Sequence, residues 1–264
     1  MRKLSTHLVG KVWGRSVPPA PFANPLEEPL GEIWFDPPPE VAGLLVKFIF
    51  TDAALSVQVH PDDAHAPPGH RGKNECWYIL DAKPGATIAV GLKRAMAEED
   101  LRSAALDGSI EQELRQIEVT PGDCFSIPAG TVHAIGAGIS LLEVQQNSDI
   151  TYRLYDYGRP RELHQEEGLR VAQRTTYDTA LQSRADGSGY SELVDGEHFR
   201  FALLSGESLV PKSKFAGNVL LLPLSGTVTL HGELLEIGSC TQTESVSGIR
   251  VNEGGRVAIV EQIE

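Results

Sequence analysis

Along most of the chain, apolar residues recur with the two-residue period of strands, in short runs closed by Gly, Pro, Asn and Asp. Leu44–Phe50 is a continuous apolar strand interrupted only by Lys47, and Asp52–Ala54 turns the chain into a second strand at Ser56–His60. There Ser56, Gln58 and His60 alternate with Val57 and Val59. Residues two apart in a strand share a face, so a hydroxyl, an amide and an imidazole point one way and two valines the other. After the turn-rich PDDAHAPPGHRG, Lys73, Glu75 and Trp77 share one parity ahead of Ile79 and Leu80. A row of mixed polar groups aimed together from apolar strands predicts a site inside a barrel.

Upstream, residues 1–44 are proline-rich and weakly periodic, and read as an extended wrap with one short strand at Gly31–Phe35. Downstream of a strand at Thr87–Gly91 the period changes. Ala95–Leu106 and Ile110–Gln116 suit short helices, so the stretch near 95–116 is a helical insertion. Strands resume at Gln116–Val119, Cys124–Ile127, His133–Ile135 and Ser140–Gln145, separated by PGD, PAG and GAG turns whose short, even spacing marks a sandwich or barrel. Asp149–Gly158 reads as an alternating strand in which Arg153, Tyr155 and Tyr157 share a side; Leu163–Gln173 reads as a helix and Arg174–Gly189 as a linker.

From Phe199 onward the chain is strand-rich again. Gly122-Asp-Cys124 has an echo in Gly238-Ser-Cys240, but the histidines of the first half have no counterpart there beyond a lone His231. The fold class expected is therefore all-β with two units, the first carrying the site and the second a degenerate copy. The boundaries expected are residues 1–160 for the first unit, 161–198 for a helix and linker, and 199–264 for the second.

Composition narrows the function classes. A formal net charge of −13 disfavours nucleic acid as a partner, although two or three local cations suffice for a small anion. No run of about 20 apolar residues is present to cross a membrane. Three cysteines without paired spacing suit neither a disulfide framework nor a thiolate metal site. With no apolar core of signal-peptide length near the start, a cytoplasmic location is expected. The sequence fixes no oligomeric state.

Candidate chemistry gathers in two motifs. The run PGDCFSIPAGTVH spaces Gly122, Pro128, Gly130 and His133 as the second motif of the cupin superfamily does, and the chain resembles that superfamily here. In the first motif Gln58 stands where a cupin ordinarily has histidine, His60 follows, and the glutamate is delayed to Glu75. With LSVQVHPDD (55–63), KNECWY (73–78), PAGTVHAI (128–135), SDITYRLYDYGR (148–159) and, more weakly, GEIW (31–34), the chain resembles the type I phosphomannose isomerases in their short bacterial form.

That resemblance implies two jelly-roll cupin barrels and interconversion of mannose 6-phosphate and fructose 6-phosphate through an enediol(ate). It also implies a metal held by Gln58, His60, Glu75 and His133, an active-site arginine at Arg153, and phosphate recognition by Ser56, Lys73 and Arg159. Arg159 stands where the family usually has lysine. A mixed nitrogen and oxygen set without thiolate suits Zn²⁺ and also Mn²⁺, Fe²⁺ or Co²⁺. Glu143, Lys73, a metal-bound water and His65 are open as the general base. His65 and His70 are loop histidines that also have ligand chemistry. The competing reading is a non-catalytic sugar-binding or regulatory metal-binding cupin, which would not need Arg153 and Lys73 together.

Overall fold

Branched and aromatic residues dominate the runs that form strands, and the computed structural model is mostly β, with 43% strand and 10% helix. It describes residues 1–185, 187, 189–211 and 214–263. Asp186 and Ser188 of the expected linker, and Lys212, Ser213 and Glu264 of the expected second unit, lie outside the described residues.

In chain order the first half contains β1 (Arg2–Lys3), β2 (Thr6–Arg15), β3 (Leu30–Phe35), β4 (Leu44–Phe50), β5 (Val57–Val59), β6 (Glu75–Ala82) and β7 (Thr87–Leu92). Helices α1 (Glu98–Asp107) and α2 (Ile110–Glu113) follow, then β8 (Leu114–Glu118), β9 (Asp123–Ile127), β10 (His133–Ile135), β11 (Ile139–Gln146), β12 (Tyr152–Tyr155) and α3 (Gln165–Val171). After them come β13 (Gln182–Arg184), β14 (Gly189–Asp195), β15 (Phe199–Ser205), β16 (Val219–Ser225) and β17 (Val228–Leu230). The last strands are β18 (Glu233–Leu235), β19 (Thr241–Thr243), β20 (Ile249–Val251) and β21 (Arg256–Gln262).

Four sheets stack in layers. A seven-stranded sheet (β13-β9-β6-β11-β4-β3-β2) faces a five-stranded one (β12-β5-β10-β7-β8), and a six-stranded sheet (β1-β19-β16-β21-β15-β14) faces a three-stranded one (β18-β17-β20). Alternation along each strand decides which layer a residue fills. On β4, Ile49 enters the core between the first two sheets with Trp77, Ile88, Val90 and Leu141. Val46, Phe48 and Phe50 face the other way and pack with Phe201, Leu220 and Leu222 of the six-stranded sheet. With both faces covered, β4 can be apolar throughout, as its sequence is. Helices α1 and α3 close the outer face of the five-stranded sheet through Leu101, Ala105 and Leu169, which meet Val57, Val59 and Leu154.

The N-terminal wrap needs correction. Thr6–Arg15 forms a ten-residue strand paired with Leu30–Phe35. Gly10 and Gly14, which look like breakers, sit where the pairing shifts register and the backbones approach: a Cβ on Gly14 would lie 2.5 Å from the Leu30 carbonyl carbon. Leu8 and Val12 are exposed on this edge strand, which is why it lacks the alternation of a core strand. The strand expected over Asp149–Gly158 ends at Tyr155, because Tyr157 and Gly158 turn the chain with φ of 54° and 76°. A register shift between Arg153 and Tyr155 also separates the tyrosine from the arginine's alignment. Within the expected linker, Gln182–Arg184 forms a strand on β9, and Gly189 begins β14.

The two halves repeat one strand order. The neighbour sequence β9-β6-β11-β4-β3 in one sheet matches β19-β16-β21-β15-β14 in the other. The Gly-x-Cys echo falls at equivalent points: Gly122 (φ 97°) donates its N–H to the Ile79 carbonyl at 2.9 Å, and Gly238 (φ 78°) donates to Pro223 at 2.9 Å. Cys124 and Cys240 then both enter the core shared by the two halves.

Candidate metal centre and its surroundings

The inward faces of β5, β6, β10 and β11 converge between the first two sheets. His133 pairs across the ladder with Gln58, and Gln58 pairs with Arg153. Side chains directly opposite each other share a face, so an imidazole, an amide and a guanidinium form one cross-strand row on the five-stranded sheet. From the seven-stranded sheet a second row, Trp34–Lys47–Glu143–Trp77, runs through paired positions, with Glu75 two residues before Trp77 on the same face.

His60, Glu75 and His133 are buried and bring one ligand atom each within 4.8 Å of one another. Glu75 Oε2 lies 3.6 Å from His60 Nε2, and Glu75 Oε1 lies 3.4 Å from His133 Nε2. Each imidazole is oriented from behind: Nδ1–H of His60 donates to the Ile150 carbonyl and Nδ1–H of His133 to the Thr131 carbonyl, both at 2.8 Å. That leaves both Nε2 lone pairs facing the centre, as metal-ligating histidines require. Burial, reinforced by Lys73 and His133, pushes the His60 pKa well below the usual imidazole range, and burial takes His133 down to about 4. Both rings are therefore neutral donors at physiological pH.

Lys73 Nζ lies 2.8 Å from Glu75 Oε2 and 3.2 Å from His60 Nε2. Glu75 Oε1 and His133 Nε2 make no hydrogen bond, although both atoms are buried. Unbonded buried acceptors cost about 1–3 kcal/mol each. Two neutral imidazoles and one carboxylate with their lone pairs directed at a common point are the donor set of a divalent cation. The residues fit a metal.

Glu143 sits beside this set as a carboxylate. Lys47 Nζ is 2.8 Å from its Oε1, Lys73 Nζ is 3.7 Å from the same atom, and Trp77 Nε1–H donates to Oε2 at 2.9 Å. Burial alone would raise its pKa, but Lys47, Lys73 and these bonds bring it down to about 2. Burial opposes the charge on Lys47, and Glu143 with Glu32 outweighs it, holding the ammonium above its usual pKa. Glu75 moves the other way, raised by burial and by Glu143 against the pull of Lys73.

A basic cluster follows β12. Asp156, buried, accepts from Arg161 Nε and Nη2 at 2.6 Å each and pairs with Arg159 Nη2 at 2.8 Å. Arg159 also donates to the Ala54 carbonyl at 2.8 Å, two residues before buried Ser56. Arg153 donates to the Glu162 carbonyl at 3.3 Å and forms no salt bridge among the described residues; burial and Arg161 lower its pKa. Arg159 and Arg161 thus share one buried carboxylate, and Arg153 stands outside that pairing. Lys73, grouped with Ser56 and Arg159 from sequence, lies against Glu75 and His60. His65 is exposed and paired with Asp62 at 2.6 Å, and His70 is exposed in the same loop; neither joins the centre.

The sequence reading passed over Lys47, Asp156 and Arg161. Lys47 had a signal, since a lysine inside a seven-residue apolar strand needs a buried partner. Asp156 and Arg161 lie at the end of a strand and in the following turn, where pairing depends on backbone path and no spacing rule applies.

The repeat of strand order also locates what stands at the same places in the second half. With Ile79 matched to Pro223 through the glycine bonds, the ladders align Glu75 with Val219, Trp77 with Leu221, Glu143 with Ile259 and Lys47 with Ala202. Ile249, paired with Leu230 as His133 is with Val90, stands at the His133 position. All five belong to the apolar core between the six- and three-stranded sheets.

No protein-family model matches the chain. Among curated proteins it is similar to the mannose-6-phosphate isomerase ManA of Bacillus subtilis, 48% identical over 137 residues, or 48% of this chain and 43% of that protein. It is also similar to the mannose-6-phosphate isomerase of Streptococcus mutans, 46% identical over 136 residues, again 48% of this chain and 43% of the relative. The matched segments thus span less than half the length of these curated relatives. In three dimensions the chain is similar to the crystal structure of the mannose 6-phosphate isomerase from Bacillus subtilis, with a TM-score of 0.82 and 26% identity over 98% of this chain and 99% of that one.

Proposed function

We propose that this chain, a relative of the mannose-6-phosphate isomerases, is a metal-dependent aldose–ketose isomerase that interconverts mannose 6-phosphate and fructose 6-phosphate. The observation that carries the reading is the buried His60–Glu75–His133 cluster of metal-ligand atoms, close to one another and in register with Gln58 and Arg153. The repeated sheet order supports two cupin-type barrels, with the site in the first and a degenerate second.

His60, Glu75 and His133, with Gln58 as a fourth ligand through its amide oxygen, would hold the cation, and the absence of thiolate favours Zn²⁺ over softer ions while admitting Mn²⁺, Fe²⁺ and Co²⁺. When bound, such an ion polarises the substrate carbonyl and the neighbouring hydroxyl as a Lewis acid. The protein's own groups supply the proton traffic. Moving a proton between C2 and C1 needs an ionised acceptor and a donor nearby. Glu143 is held ionised by Lys47 and Lys73, and Lys73 lies between it and Glu75. We assign Glu143 as the base and Lys73 as the proton donor at the substrate oxygens. Arg153, free of a carboxylate partner among the described residues, offers its charge to the enediolate oxygen, where a fixed cation stabilises the developing negative charge. Arg159, with Arg161 and Ser56 beside it, is assigned to the phosphate, since a guanidinium can bind phosphate in two places at once.

Incubating the metal-loaded protein with mannose 6-phosphate in deuterated water tests this. Fructose 6-phosphate should form with solvent label entering at the exchanged carbon, followed by NMR. Binding of metal and sugar without conversion would instead favour a non-catalytic sugar-binding protein.

A further inference from the structure

Glu75 and His133 are each the first residue of a strand, β6 and β10, and His60 stands just past the end of β5. Strand ends are where ladder pairing stops and local opening begins, so the ladders hold these three side chains less firmly than those at strand centres. Other bonds tie the same segments together. Gly130 N–H donates to the His60 carbonyl at 2.8 Å, and Lys73 N–H donates to the Pro61 carbonyl at 2.9 Å.

Asn74 joins the remaining ends. It lies between Lys73 and Glu75, and the alternation that turns those two into the site turns the Asn74 side chain away from it. Its Oδ1 accepts the Ala129 N–H at 3.0 Å, in the Pro128–Gly130 turn that leads to His133. Its Nδ2 donates to Gln146 Oε1 at 2.8 Å, and its backbone N–H donates to the same oxygen at 2.9 Å. Gln146 N–H returns a bond to the Asn74 carbonyl at 3.0 Å. Backbone N–H groups only donate, so they decide which end of each amide is the oxygen. Gln146 is buried and closes β11, the strand that carries Glu143. One side chain thus spans the head of β6, the end of β11 and the turn before β10.

The second half keeps both amides without the bridge. The alignment that matches Glu75 with Val219 and Glu143 with Ile259 also matches Asn74 with Asn218 and Gln146 with Gln262. There Asn218 Oδ1 accepts from Gln242, and Gln262 Oε1 accepts the Gly43 N–H at 2.8 Å; among the described residues no hydrogen bond joins the two side chains. The repeated sheet order therefore forms without this bridge, and the half that has it is the half with the clustered ligand residues. We infer, on the reading of His60, Glu75 and His133 as a metal centre, that Asn74 is a positioning residue for that centre. It sets the place of Glu75 relative to His133 from outside the site, through Gln146 and the Ala129 backbone.

Co²⁺ is the probe, loaded into the full chain, with its visible absorption bands reporting ligand geometry and competition with a chelator giving the dissociation constant. Asn74→Ala should weaken Co²⁺ about tenfold and alter the bands. Gln146→Met, which removes the other side of the bridge at similar length, should act in the same direction and carries the comparison if the first variant folds poorly. Asn218→Ala makes the same deletion at the matching place in the second half and should leave affinity and bands at parent values. Parent-like affinity and bands in both bridge variants would overturn the assignment. So would a loss of affinity with unchanged bands, or an equal loss in Asn218→Ala, since either would mark a general effect on folding. If the parent itself binds no Co²⁺, the metal-centre reading fails first and takes the role of Asn74 with it.

Discussion

Replacing Lys47 by Met removes a buried charge while keeping the length of the side chain, and isolates what the Lys47–Glu143 pair contributes. The pair is 2.8 Å apart, both side chains are almost wholly buried, and the ammonium also sits 5.0 Å from the centroid of the Trp34 ring. Two routes give the magnitude. Lowering the Glu143 pKa from 4.5 to about 2 corresponds to about 3 kcal/mol of folding free energy at about 1.4 kcal/mol per unit. Breaking a buried pair by removing one partner costs about 3–5 kcal/mol. Lys73, 3.7 Å from Glu143, remains in the variant and keeps the cost at the lower end. Lys47→Met should therefore lose about 3 kcal/mol at pH 7, seen in urea unfolding as a midpoint lower by about 1 M for an m of about 3 kcal/mol/M.

The pH dependence follows from the direction of each shift. A carboxylate with a depressed folded pKa stabilises fully above its unfolded value, and the contribution is lost as pH falls through the folded one, here between about 4.5 and 2. A lysine with a raised folded pKa contributes fully below its unfolded value of 10.5 and loses the contribution only as pH rises beyond it. The gap between parent and variant should be flat from about pH 5 to 10 and shrink to about half by pH 3. Glu143→Gln in the Lys47→Met background should recover part of the loss, since no buried charge is left unpaired. A gap below about 1 kcal/mol at pH 7, or one that stays constant into acid, would refute the argument that this pair is what holds Glu143 ionised.

Arg153→Ala should lower isomerase turnover by about a hundredfold or more with metal content unchanged, whereas His133→Ala should lower bound metal and turnover together. Elemental analysis beside the rate assay separates the two, and equal loss of metal in both variants would make Arg153 a structural residue. In the core shared by the halves, Phe201 is fully buried and meets the edge of Tyr78 at 5.9 Å. Phe201→Ala should cost about 3–5 kcal/mol and bring down both halves in a single thermal transition; two separate transitions would contradict the shared core.

How much of this was legible in the sequence depends on whether a residue's role is local. Leu44–Phe50 and His133–Ile135 were read with their observed bounds, because an apolar run or a motif after a Pro-Ala-Gly turn fixes them within a few residues. The placement of Gln58, His60, Glu75 and His133 on inward faces follows from parity alone. Thr6–Arg15 was missed because an edge strand half exposed to water has no apolar period to detect. For Lys73, parity says which face the side chain takes and not which charges it meets, and its contacts with Glu75 and His60 were not legible. Its partner is set by the fold of the loop between His60 and Lys73. The Asp156–Arg161 contact belongs to the same class, made by a turn after a strand that ended earlier than its alternation suggested.

The second half serves as an internal control on the meaning of the first. Both halves close the same strand order, and both keep the Gly-x-Cys turn at its head. One places Val219, Leu221, Ile249, Ile259 and Ala202 where the other places Glu75, Trp77, His133, Glu143 and Lys47. The fold therefore does not require polar groups at these positions, since apolar ones fill them without orphaned donors or acceptors. Glu75 Oε1 and His133 Nε2 are buried with no hydrogen bond, each costing about 1–3 kcal/mol against an apolar filling. A cost of that size, carried in one half and absent from the other, cannot be laid to packing. It is what the proposed metal site accounts for.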